Sequence, residues 1–276
     1  MTITMTPTLH RSYLFVPGNR PERFDKACAT ATHAVIIDLE DAVPAAEKIA
    51  ARAATAAWLS ADRPVMVRIN AADTEWFADD LALCALPGVA GIILPKAERP
   101  EQIARVAAAG AMAILPLIES ALGFHNVEAL ARCPQVLRLI FGTVDFRLDL
   151  GIDGERDELL YFRSQLVLMS KLAGLQPPVD GVTLAINDAL QIDDDTRYGR
   201  RIGFGAKLCI HPQQVAAVNA AFLPSAAELA WAQRVVAAAD TSHGAAVALD
   251  GKMIDRPVIL QARQTIADDQ SGTAAS

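Results

Sequence analysis

Eight short apolar runs alternate with Ala-rich segments along this chain: SYLFV (12–16), AVIID (34–38), VMVRI (65–69), GIILP (91–95), AILPLIE (113–119), LRLIF (137–141), GVTLAI (181–186) and AKLCI (206–210). A run rich in β-branched residues reads as a strand buried on both faces, and the segments between hold good helix formers. Buried strands separated by helices make parallel βαβ units, and eight of them within 276 residues predict closure into a TIM (β/α)8 barrel, class α/β. An open doubly wound sheet is the main alternative. The spacing is about one βα unit throughout, except that residues 151–180 add the charged GIDGERDE and a helix around Leu159–Leu172. That insertion is expected over the barrel mouth. The barrel is assigned to residues 1–225, followed by a helical extension over 226–276 that packs on the barrel or on a neighbouring subunit. The extension opens with a helix near Ala226–Ala239, continues through a linker with Ser242 and Gly244, and is expected to end in a flexible tail from about residue 268.

The formal charge of −7, from 25 basic and 32 acidic residues, would repel nucleic acid and anionic membranes. An anionic ligand must therefore find a local basic patch. The four cysteines, Cys28, Cys84, Cys133 and Cys209, are far apart with no CxxC pair, which argues against zinc and redox motifs and for free thiols in a reducing compartment. The start MTITMTPTLHR lacks a basic region followed by an apolar one, and no uncharged apolar stretch approaches a membrane span. The chain is expected to be cytoplasmic, with neither nucleic acid nor membrane as partner.

In a barrel the C-terminal strand ends converge on one face, which makes Asp38, Glu40, Arg68, Lys96, Glu119, Asp145 and His211 the candidates for chemistry. Glu119 and Asp145 follow adjacent strands. Two carboxylates brought together need a proton, a basic partner or a hard cation, and Mg²⁺ suits two carboxylates that leave positions open for a hydroxy or keto acid. The alternative is that each caps a helix or pairs with a lysine. Arg68, a guanidinium at the end of VMV, is expected to grip a carboxylate or stabilise an oxyanion. DLEDAV (38–43) crowds three carboxylates and is expected to support Arg68. His211 could serve as a base or as a hydrogen-bonded structural residue.

After the first strand, VPGNRPERFDKA offers Gly18 for a tight turn and Pro21 for a helix start, with Arg20, Arg23 and Lys26 at i, i+3 spacing. They read either as a phosphate site beside a helix N-terminus or as a solvated face.

Taken together, RSYLFVPGNRPERFDKA, VIIDLEDAV, VRIN, ILPKAE, LPLIESALG, FGTVDFRLDLG, GFGAKLCIHPQQ and DGKMIDRP resemble, in order, the citrate lyase β-subunit-like branch of the HpcH/HpaI aldolase family, close to citramalyl-CoA and malyl-CoA lyases. The resemblance implies a TIM barrel with Mg²⁺ on Glu119 and Asp145, Arg68 on the keto acid, and a coenzyme A thioester contacted by residues matching Phe15, Arg20 and Lys26. Substrate binding is assigned to Arg68, Glu119, Val144 and Asp145. Asp255, the aspartate of the MID motif, is implied to protonate an enolate in a neighbouring subunit, so that the active form is a homotrimer or hexamer. The chain departs from the family pattern at Val144, where GAED has a glutamate, and at Ala206, where a glycine is usual.

The activity expected is Mg²⁺-dependent cleavage of a 3-hydroxyacyl-CoA to acetyl-CoA and a 2-keto acid. The rivals are the citryl thioester lyase β subunit of a citrate lyase complex, a class II aldolase acting on free keto acids, and a non-catalytic barrel homologue.

Overall fold

The computed structural model describes residues 10–241 and 247–274. The N-terminal segment before His10 and the linker with Ser242, His243 and Gly244 lie outside the described residues. The chain forms two compact units, one spanning Leu9–Asn219 and the other carrying Ala220–Ser276.

In the first unit eight parallel strands close into a barrel in sequential order: β1 (Ser12–Pro17), β2 (Ala34–Asp38), β3 (Val65–Arg68), β4 (Val89–Leu94), β5 (Ile114–Ile118), β6 (Ile140–Phe141), β7 (Val179–Asp180) and β8 (Ala206–Cys209). β8 returns to pair with β1, matching Ser12 with Lys207 and Leu14 with Cys209, so no sheet edge remains. Closure decides for the barrel over the open sheet.

The two-residue period of a strand divides each run between two cores. Tyr13, Ile36, Met66, Ile93, Leu115, Leu117, Ile140 and Leu208 fill one cluster inside the barrel. Val67, Ile92, Leu94, Ile114, Ile118 and Phe141 belong to another, shared with helix residues such as Ile103, Phe146, Leu159 and Leu166. Continuing the inward parity one step places Phe15 after Tyr13, Asp38 after Ile36, Arg68 after Met66 and Glu119 after Leu117. The same alternation that builds the interior thus delivers charged side chains to its C-terminal end.

The opposite end is closed by Arg138, fully buried, whose guanidinium donates to the carbonyls of His10 (2.7 Å) and Pro177 and to Tyr13 Oη (3.3 Å).

Two expectations are corrected. The seventh strand is not GVTLAI but the two residues before it, Val179–Asp180. Residues 181–186 form a loop whose carbonyls are met by side chains rather than by a neighbouring strand: Lys207 Nζ donates to Gly181 O (2.8 Å), and Gln214 Nε2 to Thr183 O (2.8 Å) and Ala185 O (3.0 Å). Its apolar Leu184 and Ile186 face solvent, so apolarity here does not mark a buried strand. The helix within 151–180 is also no cover for the mouth. Asp157–Leu172 is an outer-ring helix, with Leu159 and Leu166 buried and Phe162 edge-on to Phe124 (5.0 Å) and Phe146 (4.8 Å).

The second unit holds helices Ala226–Thr241 and Arg256–Ala274 and a hairpin of β9 (Val247–Leu249) and β10 (Lys252–Ile254). The hairpin turns on Asp250 (φ 50°) and Gly251 (φ 74°), the Asp-Gly pair that suits two left-handed positions. Arg234 donates to both oxygens of Asp250 (2.5 and 2.6 Å), fixing the turn to the first helix. Ala232, Val235, Ala239, Ile254, Ile259 and Ala262 form its core. The polar residues from 268 onward continue the last helix to Ala274.

Candidate active site

A cavity of about 370 Å³ opens at the C-terminal ends of the strands. Its polar wall carries Asp38, Asp41, Arg68, Glu119, Thr143 and Asp145, and its apolar wall includes Phe15, Leu117, Val182, Leu208 and Ile210. A pocket of this size with few convergent polar groups suits a small ligand with one charged and one apolar end.

Arg68 is pinned from below. Its Nε and Nη2 donate to the two oxygens of Asp38 (2.7 and 2.6 Å), the residue directly across the ladder between β2 and β3. Nη1 lies 2.9 Å from Glu40 Oε2 and 3.7 Å from Asp41 Oδ2, and the guanidinium rests over the Phe15 ring at 4.7 Å. Burial opposes the charge on Arg68, but Asp38, Glu40 and Asp41 outweigh it and raise its pKa above the ordinary arginine value. It is therefore a fixed cation whose bidentate fork is taken by Asp38 and whose Nη1 is paired with Glu40, so what it offers the cavity is a held positive charge.

Glu119 is 4% exposed, and its Oε1 accepts a hydrogen bond from the backbone N–H of Lys96 (2.7 Å). Burial first, then the charges of Glu40 and Asp145, push its pKa up to about 8; the Lys96 N–H and Arg68 oppose the rise. Glu40 is likewise raised to about 6, chiefly by burial and against the pull of Arg68. Lys96 reaches Glu40 Oε1 at 3.4 Å, and its backbone adopts φ 45°, a conformation that non-glycine residues seldom take. Asp145, half-buried, stands in the first turn of helix Thr143–Leu150 after Gly142. A Cβ on Gly142 would meet both Cβ and Oε2 of Glu119 at 2.7 Å, so glycine is what lets the Glu119 carboxylate lie against that turn. Gly18 has a comparable role, since a Cβ there would fall 2.6 Å from Leu39 Cδ2. Close packing, rather than an unusual φ, is what requires it.

The loop carrying DLEDAV is held by a residue whose sequence gives no hint of burial. Lys48, at the start of helix Lys48–Trp58, is 7% exposed and donates to Leu39 O (2.8 Å), Glu40 O (2.7 Å) and Asn70 Oδ1 (2.6 Å). Asp80 in turn accepts from the Asn70 backbone (2.9 Å) and side chain (2.6 Å), tying in the loop after β3.

The cavity thus gathers Phe15, Asp38, Arg68, Glu119, Val144 and Asp145 of the residues expected from sequence. Arg20 and Lys26 do not line it; both are exposed on the segment after β1, where a 3₁₀ turn Pro21–Arg23 leads into a short helix Phe24–Cys28. His211 is outside the lining too, and its Nδ1 accepts from the Gln213 N–H (3.3 Å). Asp255 belongs to the second unit, where its Oδ1 accepts from Val258 N (3.4 Å) at the start of the last helix. Thr143 joins the lining without having been singled out, and Asp41, expected only to support Arg68 with the other carboxylates of DLEDAV, lines the cavity itself.

Eight-stranded closure, with a fixed arginine and two carboxylates at adjacent strand ends lining one cavity, defines a TIM-barrel protein whose candidate active site lies at the C-terminal ends of its strands. The chain belongs to the HpcH/HpaI aldolase/citrate lyase family, whose pattern matches residues 11–212. It is 38% identical to a citrate lyase subunit beta-like protein of Deinococcus radiodurans over 95% of this chain and 98% of that protein. It is 36% identical to a (3S)-malyl-CoA thioesterase of Cereibacter sphaeroides over 93% of each. The solved structure of CitE from Mycobacterium tuberculosis with magnesium, acetoacetate and coenzyme A matches with a TM-score of 0.86 and 34% identity, covering 95% of this chain and 98% of that one. Members of the family are lyases or related enzymes acting on CoA thioesters.

Proposed function

We propose that this chain is a Mg²⁺-dependent carbon-carbon lyase that cleaves a 3-hydroxyacyl-CoA of the citramalyl-CoA or malyl-CoA type to acetyl-CoA and a 2-keto acid. The observation that carries the reading is the convergence of Arg68, Glu119 and Asp145 on one cavity with an apolar far wall. Glu119 and Asp145 fit a magnesium ion: the donors are hard oxygens, and a buried carboxylate raised to about 8 is short of positive charge. Two carboxylates alone would leave positions on the ion for substrate oxygens. When bound, the ion would polarise the oxygen that becomes the keto group.

The chain's own residues would do the rest. Arg68, its orientation fixed by Asp38 and Glu40, sets its positive charge beside the oxygen on which charge develops. Leu117, Val182, Leu208 and Ile210 exclude water from the alkyl portion. Arg20 and Lys26, exposed beyond the end of β1, are assigned to the coenzyme A phosphates, with Phe15 near the acyl end. The active form is read as a homotrimer or hexamer in the cytoplasm, in which Asp255 of the partner subunit protonates the acetyl-CoA enolate.

The test is to incubate the protein with citramalyl-CoA, malyl-CoA and citryl-CoA, with and without Mg²⁺, and to follow acetyl-CoA, keto acid and free CoA. Mg²⁺-dependent release of acetyl-CoA from the first or second supports the reading. Free CoA with the hydroxy acid intact would assign thioester hydrolysis instead, the activity named for the Cereibacter sphaeroides relative. No acetyl-CoA from any thioester would overturn the reading.

A further inference from the structure

Cleavage of a 3-hydroxyacyl thioester needs a group that takes the hydroxyl proton, and the cavity wall holds four carboxylates from which to choose: Asp38, Asp41, Glu119 and Asp145. Asp38 is fully engaged. Its oxygens accept from Arg68 Nε (2.7 Å) and Nη2 (2.6 Å) and from the backbone N–H groups of Glu40 (2.9 Å) and Ala42 (3.2 Å). Glu119 is buried with one oxygen on the Lys96 N–H, and it and Asp145 are the pair suited to the cation. Glu40 does not line the cavity, and neither does His211.

Asp41 remains. It lies in the turn after β2, its side chain is 61% exposed, and among the described residues its carboxylate accepts no hydrogen bond. The cation facing it is Arg68, whose Nη1 stands 3.7 Å from Oδ2, beyond hydrogen-bond range. That separation keeps the carboxylate beside the cation that would steady the developing oxygen, with its lone pairs still free. The loop is set in place by Lys48, which donates to the carbonyls of Leu39 (2.8 Å) and Glu40 (2.7 Å) just before it.

We propose that Asp41 is the general base that removes the hydroxyl proton of the substrate, a role that rests on the lyase reading above. The hydroxyl O–H bond breaks and its proton passes to a carboxylate oxygen of Asp41. The freed electron pair forms the C=O of the 2-keto acid. The adjacent carbon-carbon bond breaks, and its pair moves into the thioester as an enolate, which takes a proton at carbon from Asp255 of the partner subunit, the donor assigned in the lyase reading. Asp41 then returns its proton to solvent, for which its exposure is an advantage.

The experiment compares wild type with Asp41→Asn and Asp41→Glu on whichever thioester the wild type cleaves, reading kcat, KM, the pH profile of kcat and Mn²⁺ affinity by titration calorimetry. Asp41→Asn is expected to lose about 10²- to 10⁴-fold in kcat, while KM and Mn²⁺ affinity stay within about threefold. Asp41→Glu should recover part of kcat. A kcat for Asp41→Asn within about threefold of wild type overturns the assignment and leaves the lyase reading standing. A loss of rate that follows a matching loss of Mn²⁺ binding also overturns it, because Asp41 would then serve the cation. Wild type that cleaves no thioester removes both.

Discussion

Asp38 holds Arg68 by a two-point fork, Nε to Oδ1 at 2.7 Å and Nη2 to Oδ2 at 2.6 Å, with both residues under a tenth exposed. Because the two sit opposite each other across β2 and β3, the ladder itself sets the geometry of the pair. Asp38→Asn removes the charge and one acceptor while leaving the guanidinium buried. Breaking a buried pair on one side costs about 3–5 kcal/mol, so urea denaturation should show a loss of that order. Activity should fall by at least about 100-fold through misplacement of Arg68. A variant within 1 kcal/mol of wild type, roughly a surface-pair effect, would refute the view that the fork is structural.

The pKa of about 8 at Glu119 has a consequence for stability. The folded-state value lies above the unfolded carboxylate value, so the unfolded chain binds fewer protons between pH 4.5 and 8. Stability from this group is present in acid and is lost as the pH rises through that window. A cation on the carboxylate reverses the trend. Thermal melts from pH 5 to 8.5 should show Mg²⁺ raising Tm most at the alkaline end, and Glu119→Gln should flatten both the pH slope and the Mg²⁺ effect. Equal Mg²⁺ stabilisation of wild type and variant would place the ion elsewhere.

Gly142 offers a sharper probe of the same carboxylate. An alanine Cβ would stand 2.7 Å from Glu119 Cβ and Oε2, and its φ of −86° is open to any residue, so the effect is purely one of contact. Gly142→Ala should cost about 1–3 kcal/mol through overpacking and weaken Mn²⁺ binding by roughly tenfold or more, since the carboxylate must shift. Unchanged Mn²⁺ affinity would show that Glu119 can move without consequence.

Much of this site is legible in the sequence because strand parity is legible. In VMVR, AVIID and AILPLIE the inward positions alternate, and the last inward residue of each is Arg68, Asp38 or Glu119. Asp145 follows from its place after β6. The hidden parts depend on tertiary contacts. Lys48 begins a helix that reads as KIAARAATAAW, where a lysine looks solvated, and only the carbonyls of Leu39 and Glu40 bring it inside. The loop 181–186 is as apolar as a strand, yet Gln214 and Lys207, distant in sequence, take its carbonyls out of the ladder. Arg20, Arg23 and Lys26 are spaced like a helical face, but the backbone divides them between a cap, a 3₁₀ turn and a short helix.

Lys96 combines an unfavourable backbone with two contacts to the site. At φ 45° it directs its N–H to Glu119 Oε1 (2.7 Å) while its ammonium approaches Glu40 Oε1 (3.4 Å). A left-handed non-glycine residue costs on the order of 1 kcal/mol, and glycine relieves that cost while keeping the N–H. Lys96→Ala and Lys96→Gly both remove the ammonium, so the difference between them isolates the backbone. Lys96→Gly should be more stable than Lys96→Ala by about 1 kcal/mol in chemical denaturation, the reverse of the usual order at ordinary φ. Lys96→Met should keep the backbone and lose one of the two cations on Glu40, leaving Arg68 alone to offset Glu40 beside Glu119. Its Mn²⁺ affinity should therefore differ from wild type even where its stability does not. If alanine proves the more stable of the first two, the left-handed turn is not under strain, and its role in aiming the N–H at Glu119 loses its physical basis.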